Sequence, residues 1–250
     1  MIGVFDSGIG GLTILKEIKK ILPKQNLVYF ADVANNPYGT KKGHEIAEFS
    51  MRVAEFLLSK GANIIVVACN TATAAAIDSL REKVSIPFVG TEPAVKPAVE
   101  ESQNKRIGVL VTPMTSISDR FYSLIEKYGD DAEIFIKPCP KLVEIVEQGK
   151  WSSLNTKLLI RDYLSVLLDE KEVDSIVLGC THFVFLKKLI VEESGKEVKI
   201  FDSSGGVAKQ TRRVINKLKL SDEEGNVEIY ASADEERVKK QAREFGITIT

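Results

Sequence analysis

The sequence predicts an α/β fold: two pseudo-symmetric α/β domains with largely parallel sheets facing a central cleft. Short apolar, β-branched runs alternate with segments of helical period nearly everywhere along the chain, as parallel strands and their crossover helices do. Many of these runs end in polar, loop-like residues, and ligands of open α/β sheets gather at such carboxyl ends of strands. The plan is also repeated. NIIVVACNTA at Asn63–Ala72 and SIVLGCTHF at Ser175–Phe183 each carry a buried-type strand ending on a cysteine, with threonine one or two residues later. Two strand ends that each offer a thiol point to one site with a sulfur on either side.

At 250 residues the chain can bury one large core or two domains of roughly 100–150 residues. Hydrophobic residues are 44% and charged residues 28% of the sequence, so it should be globular throughout. The 34 basic and 35 acidic residues nearly balance and form no basic stripe, so no nucleic-acid or anionic-membrane partner is expected. No apolar run approaches the roughly 20 residues of a membrane span, and MIGVFDSG lacks the features of a signal peptide. The expected location is cytoplasmic. Cys69, Cys139 and Cys180 are an odd number of cysteines, which argues for reduced thiols rather than a disulfide framework. With no C-x-x-C pair and only His44 and His182 as histidines, no metal is expected.

The first strand, Ile2–Phe5, ends at Asp6, and SGIGG turns the chain into a helix marked by Leu12, Leu15, Ile18 and Leu22. Asp6 and Ser7 are thus expected at a strand end facing a helix N-terminus, a position that favours an anion. Leu27–Asp32 is the next strand, Asn35–Lys41 reads as a loop by its Asn-Pro and Tyr-Gly content, and Ile46, Phe49, Val53, Phe56 and Leu57 mark a helix face. Ile64–Ala68 delivers Cys69 to a helix opened by Asn70 and Thr71, a setting able to lower a thiol pKa. A short FVG strand leads to Thr91, Glu92 and Pro93, and Ala94–Ser102 is helical by pattern.

Ile107–Val111 starts a second βα series, followed by the hydroxyl-rich segment Thr112–Ser118. Ala132–Lys137 is a strand broken by Pro138-Cys139-Pro140, and a helix with Leu142, Val143 and Val146 inward ends at Gly149. Leu154–Leu168 is a longer helix with Leu158, Leu159, Tyr163, Val166 and Leu167 as its expected apolar stripe. After the second cysteine strand come a helix through Leu189, a strand Val198–Phe201, a helix Val207–Leu218, a strand Val227–Ala231 and a helix Glu235–Phe245.

Free cysteine is often only a small core hydrophobe. Cys69 and Cys180 depart from that use because both follow an apolar strand directly and precede hydroxyl or amide residues; Cys139, between two prolines, keeps it. His182, two residues after Cys180, is placed to tune or protonate that thiol, whereas His44 reads as a surface residue. Asp6 can serve as a helix cap, as a charge partner to a thiol, or as both. DSGIGG matches neither G-x-G-x-x-G nor the P-loop, and no G-x-S-x-G elbow occurs, which leaves nucleotide binding and serine nucleophile chemistry poorly supported.

A set of motifs resembles the glutamate racemases, among the cofactor-independent amino-acid racemases. They are FDSGIGG at Phe5–Gly11, PYGTK at Pro37–Lys41, ACNTA at Ala68–Ala72, EP at Glu92–Pro93, T-x-x-T-x-x-S at Thr112–Ser118, CP…LVE…VE-x-G at Cys139–Gly149 and LGCTH at Leu178–His182. They follow family order over about four-fifths of the chain, with weaker likeness in the tail. Related aspartate racemases usually carry Glu where this chain has His182, which favours glutamate. The chain departs from the family at Phe183-Val184, where Tyr-Pro is usual, and near Asn35-Asn36, where a basic residue is usual.

The resemblance implies racemisation by two thiols, Cys180 acting as base toward L-glutamate and Cys69 toward D-glutamate, with no cofactor: neither pyridoxal phosphate nor metal. It implies that Asp6 assists Cys69, that His182 with Glu147 assists Cys180, and that Asp6, Ser7, Pro37, Tyr38, Gly39, Asn70, Thr71, Thr112, Thr115, Thr181 and His182 hold the substrate. It further implies a first domain of Met1–Pro93 with Ala208–Thr250, a second of Ala94–Val207, a product used in peptidoglycan, and a homodimer in arrangements that vary among members. The competing readings are an aspartate racemase, a non-catalytic amino-acid-binding protein and a thiol-redox protein.

Overall fold

Strands form at the short apolar, often β-branched runs, and a helix follows each strand along the chain. The computed structural model describes residues 1–151, 153–195 and 197–250. The first half of the chain gives β1 (Ile2–Asp6), α1 (Leu12–Ile21), β2 (Leu27–Ala31), α2 (Gly43–Ser59), β3 (Ile64–Val67), α3 (Asn70–Lys83), β4 (Phe88–Gly90), α4 (Val95–Glu101), β5 (Arg106–Val111), α5 (Pro113–Ser116) and α6 (Asp119–Tyr128). There follow β6 (Glu133–Pro138), α7 (Pro140–Glu147), α8 (Leu154–Ser165), β7 (Ser175–Leu178), α9 (Lys187–Ser194), β8 (Lys199–Asp202), α10 (Ser204–Leu218), β9 (Val227–Ala231) and α11 (Glu235–Glu244).

Two compact units result. The first is Met1–Thr91 with Ser204–Thr250, and the second is Glu92–Ser203. The first holds a five-stranded sheet in the order β4-β3-β1-β2-β9, all of it parallel, with Val4 in register with both Tyr29 and Val66. Its tail strand β9 enters beside β2, pairing Leu27 with Val227. The central strands β1 and β3 are buried along their whole length, and Leu12, Leu15 and Ile18 of α1 are fully buried. Each such side chain contributes roughly 1.5–3 kcal/mol of burial.

The second unit holds a four-stranded parallel sheet, β6-β5-β7-β8. On it Val95, Ala98 and Val99 of α4 and Phe121 and Leu124 of α6 pack with Ile107, Val109, Val111 and Val177 in one cluster. Helix α8 corrects the sequence reading. Its buried residues are Thr156, Ile160 and Leu164, while Leu158 is 51% and Val166 36% exposed. The helix is apolar on several sides, so period alone did not select its inner face. That face is set at both ends of the helix: the Ser153 hydroxyl accepts the Thr156 N–H, Thr156 Oγ1 donates to the Lys150 carbonyl at 2.6 Å, and Leu167, just beyond the helix, lies so close to Gly108 that a Cβ there would meet it at 2.9 Å. The helix also ends earlier than expected, passing into a π turn over Val166–Glu170.

Candidate active site

In the first unit the chain runs from β1 to β2 on one side of the sheet and places β3 on the other. Connections leave these neighbours in opposite directions, and the crevice opened at such a switch point is where α/β sheets bind ligands. Asp6 ends β1 there, and Cys69 stands two residues beyond β3. Cys69 keeps an extended backbone and caps α3, its Sγ accepting the Ala72 N–H at 3.4 Å. A helix N-terminus favours the thiolate over the thiol.

Asp6 does not cap α1, which starts only at Leu12 after Gly11. Its Oδ1 instead accepts the Gly8 N–H at 2.8 Å and the Ser7 hydroxyl at 3.4 Å, so this loop N–H is occupied by a carboxylate. The Ser7 hydroxyl lies 3.9 Å from Cys69 Sγ. Gly11 allows this close packing, since a Cβ at that position would come within 2.7 Å of the Asp6 Cβ. Tyr29 holds the loop from the next strand through a 2.6 Å bond to the Gly8 carbonyl.

The Pro37-Tyr38-Gly39 segment forms the edge of this half-site and contains a 3-10 turn, Tyr38–Thr40. Tyr38 is buried, and its hydroxyl donates to Asp32 at 2.6 Å. Burial and then the Asp32 carboxylate push its phenol far above the usual range, with Cys69 and Asp6 adding to the effect. Asn35 donates to both Asp32 oxygens at 3.0 Å. Asn70 and Thr71 are buried at the start of α3. Behind them Thr91 donates to the Val67 carbonyl at 2.8 Å and its N–H bonds the Thr73 hydroxyl at 2.9 Å.

The second unit repeats the switch point between β5 and β7. Gly179 follows β7 so tightly that a Cβ would lie 2.8 Å from the Leu110 carbonyl oxygen, and Cys180 comes next with an extended backbone. The 3-10 turn Thr181–Leu186 then buries Thr181 and His182. His182 Nδ1 lies 3.9 Å from Cys180 Sγ, and Nε2 lies 2.7 Å from Glu147 Oε1 at the end of α7. A carboxylate on Nε2 orients the imidazole and leaves Nδ1 toward the sulfur. Thr112 and Thr115 join hydroxyls at 3.0 Å at the end of β5. Cys139 is fully buried and donates to the Lys137 carbonyl at 3.4 Å; burial pushes its thiol well above the usual range.

Within one unit, then, Asp6, Ser7, Cys69, Tyr38, Asn70 and Thr71 gather around one switch point, and within the other Thr112, Thr115, Cys180, Thr181, His182 and Glu147 gather around its counterpart. Sequence reasoning passed over Asp32, Thr73 and Thr91 as parts of the first group. Asp32 directly follows a strand whose neighbour ends in Asp6, and that position was the available signal. Thr73 and Thr91 carried none, because their bonds join segments 18 residues apart. Among the described residues no group of three or more His, Cys, Asp or Glu side chains is arranged to hold a metal ion, and no helix is long and apolar enough to cross a membrane.

Parallel sheets with a cysteine at each switch point agree with what sequence comparison finds. Residues 2–210 match the Asp/Glu/Hydantoin racemase family. The chain belongs to this family and is an enzyme of the racemase class. Relatives similar over nearly the whole chain include glutamate racemases. That of Clostridium novyi (strain NT) is 44% identical over 254 residues, covering 98% of this chain and 97% of that protein. The Escherichia coli glutamate racemase, solved in complex with L-glutamate and the activator UDP-MurNAc-Ala, gives a TM-score of 0.89 at 28% identity, over 98% of this chain and 94% of that one. The Francisella tularensis enzyme, solved with D-glutamate, gives 0.85 at 31% identity, over 100% and 94%.

Proposed function

We propose that the protein interconverts L- and D-glutamate by proton transfer between two thiols. The observation that carries this reading is the duplication itself: each parallel sheet ends at its switch point in a cysteine with its own acid–base company, Asp6 and Ser7 in one unit and the His182–Glu147 pair in the other. Racemisation needs the α-proton removed from one face and a proton delivered to the other, which a single base does not easily reach. Toward L-glutamate, Cys180 as thiolate takes the Cα proton and becomes a thiol. Cys69, as thiol, gives its proton to the opposite face and becomes the thiolate. Toward D-glutamate the roles exchange.

The α-proton is weakly acidic, so the carbanion-like transition state depends on preorganised donors in a water-poor site. The Asp6 carboxylate suits the substrate ammonium. Ser7, Asn70, Thr71, Thr112, Thr115 and Thr181 supply hydroxyl, amide and main-chain donors for its two carboxylates. Tyr38 commits its hydroxyl to Asp32, so Pro37, Tyr38 and Gly39 contribute through their main chain. Glutamate as substrate is supported by the relatives and by the ligands of the Escherichia coli and Francisella tularensis enzymes. The chemistry asks for neither pyridoxal phosphate nor metal. We place the protein in the cytoplasm, feeding D-glutamate to peptidoglycan synthesis.

Circular dichroism of L- and D-glutamate incubated with the purified protein tests the activity. Both solutions should decay to zero ellipticity, and in D₂O the Cα proton should exchange for deuterium. Faster decay of L-aspartate than of L-glutamate would reassign the substrate, and tight glutamate binding with constant ellipticity would make the protein a binder.

A further inference from the structure

Asn36 sits in a stretch that the sequence marks as a loop by its Asn-Pro and Tyr-Gly content, yet its side chain reaches back to β1's end. Its Nδ2 donates to the Ser7 carbonyl at 3.0 Å and to the Ser7 hydroxyl oxygen at 3.3 Å. That hydroxyl is shared between two other groups: it lies 3.4 Å from Asp6 Oδ1 and 3.9 Å from Cys69 Sγ. A serine hydroxyl has one proton and two lone pairs. With Asn36 on one lone pair, the oxygen is held where the other lone pair can accept a hydrogen bond from the Cys69 thiol, or where its own proton can turn to the sulfur once that sulfur is charged. Asp6 does not depend on Ser7, because it also holds the Gly8 N–H at 2.8 Å.

We propose that Asn36 is a positioning residue of the Cys69 half-site, its carboxamide pinning the Ser7 hydroxyl between Asp6 and the Cys69 sulfur so that the charged sulfur keeps a hydroxyl donor. The inference rests on the reading of Cys69 as an acid–base group. Asp6 at the end of β1 and, beyond β2, Asp32 with Tyr38 are titratable groups of this unit on the Cys69 side. All are acidic, so a neutral donor such as Ser7 matters to the thiolate. Without the carboxamide, Ser7 turns to the nearer Asp6 oxygen and the thiolate loses a hydrogen bond. With a carboxylate in its place, the Ser7 proton is drawn away and a further negative charge is added. Both changes raise the pH at which Cys69 ionises.

The chain holds three cysteines, so full-length protein labelled with ¹³C at cysteine Cβ gives three signals, and the one missing in Cys69→Ser belongs to Cys69. Titrating that signal reads its ionisation without activity. Asn36→Ala should move the midpoint up by about half a pH unit and the isosteric Asn36→Asp by about one or more, with kcat reduced roughly three- to tenfold in Asn36→Ala. In a Ser7→Ala background, Asn36→Ala should add no further shift. An unmoved midpoint in folded Asn36→Ala, or an equal shift with Ser7 already removed, overturns the proposal; should Asn36→Ala not fold, an unmoved midpoint in Asn36→Asp does so. The underlying reading fails separately, through full racemase turnover by Cys69→Ser.

Discussion

His182 and Glu147 are closely joined in the second half-site, with 2.7 Å between Nε2 and the carboxylate oxygen. If the carboxylate orients the ring and supports charge on it, Glu147→Gln keeps an acceptor but loses the charge. Turnover should then fall roughly ten- to a hundredfold, less than the 10²–10⁴ associated with removing an acid–base group outright, and initial rates from each enantiomer would measure it. At this scale the sequence was informative wherever a residue's role follows from its place at a strand end: Asp6, Cys69 and Cys180 all declare themselves so. It was silent where the role depends on a partner far along the chain. Glu147 lies 35 residues from His182, and only the family resemblance joined them. Asn36, 29 residues from Ser7, looked like turn chemistry because Asn before Pro is ordinary turn chemistry.

Elements place these residues, and their ends matter more than their middles. Gly179 lets the end of β7 lie against β5; an added Cβ would meet Val111 Cγ1 at 2.7 Å and the Leu110 carbonyl oxygen at 2.8 Å, which is why the residue before Cys180 has to be small. At the opposite end of the same strand pair, Asp174 accepts the Ser102 and Ser175 hydroxyls at 2.6 and 2.9 Å and the Gln103 and Asn104 N–H groups at 2.7 and 2.9 Å. Burial alone would raise its pKa, but these donors outweigh burial and hold the carboxyl below its usual value. A depressed folded-state value contributes stability above the unfolded-state pKa of about 3.9 and loses it as the pH falls through the folded value. Asp174→Asn should therefore cost roughly 1–2 kcal/mol at pH 7 and progressively less toward pH 3, as read by urea unfolding at a series of pH values. Strand positions were legible because the apolar runs are unbroken. The inner face of α8 was not, because Leu158 and Ile160 look alike in sequence and only the contacts around Thr156 and Gly108 separate them.

At the scale of the whole molecule, two sheets carry one plan: in each, the strand before the cysteine lies beside the strand that opens the unit, and the chain leaves the two in opposite directions. Alternating strands and helices announced parallel sheets, but strand order is invisible to periodicity, and the return of β9 to β2 joins residues 200 apart in sequence. A reaction run by side chains alone should survive exhaustive dialysis against a chelator and treatment with a carbonyl reagent, with turnover of L-glutamate unchanged; loss of turnover restored by added metal or pyridoxal phosphate would require a different chemistry.

The central claim is that both thiols are needed because each serves one face of the substrate. Its most direct test is the rate of racemisation of L-glutamate by Cys69→Ser and by Cys180→Ser, each shown to be folded. The account predicts that either substitution nearly abolishes interconversion, by about 10³-fold or more. Full turnover by both single variants would contradict it.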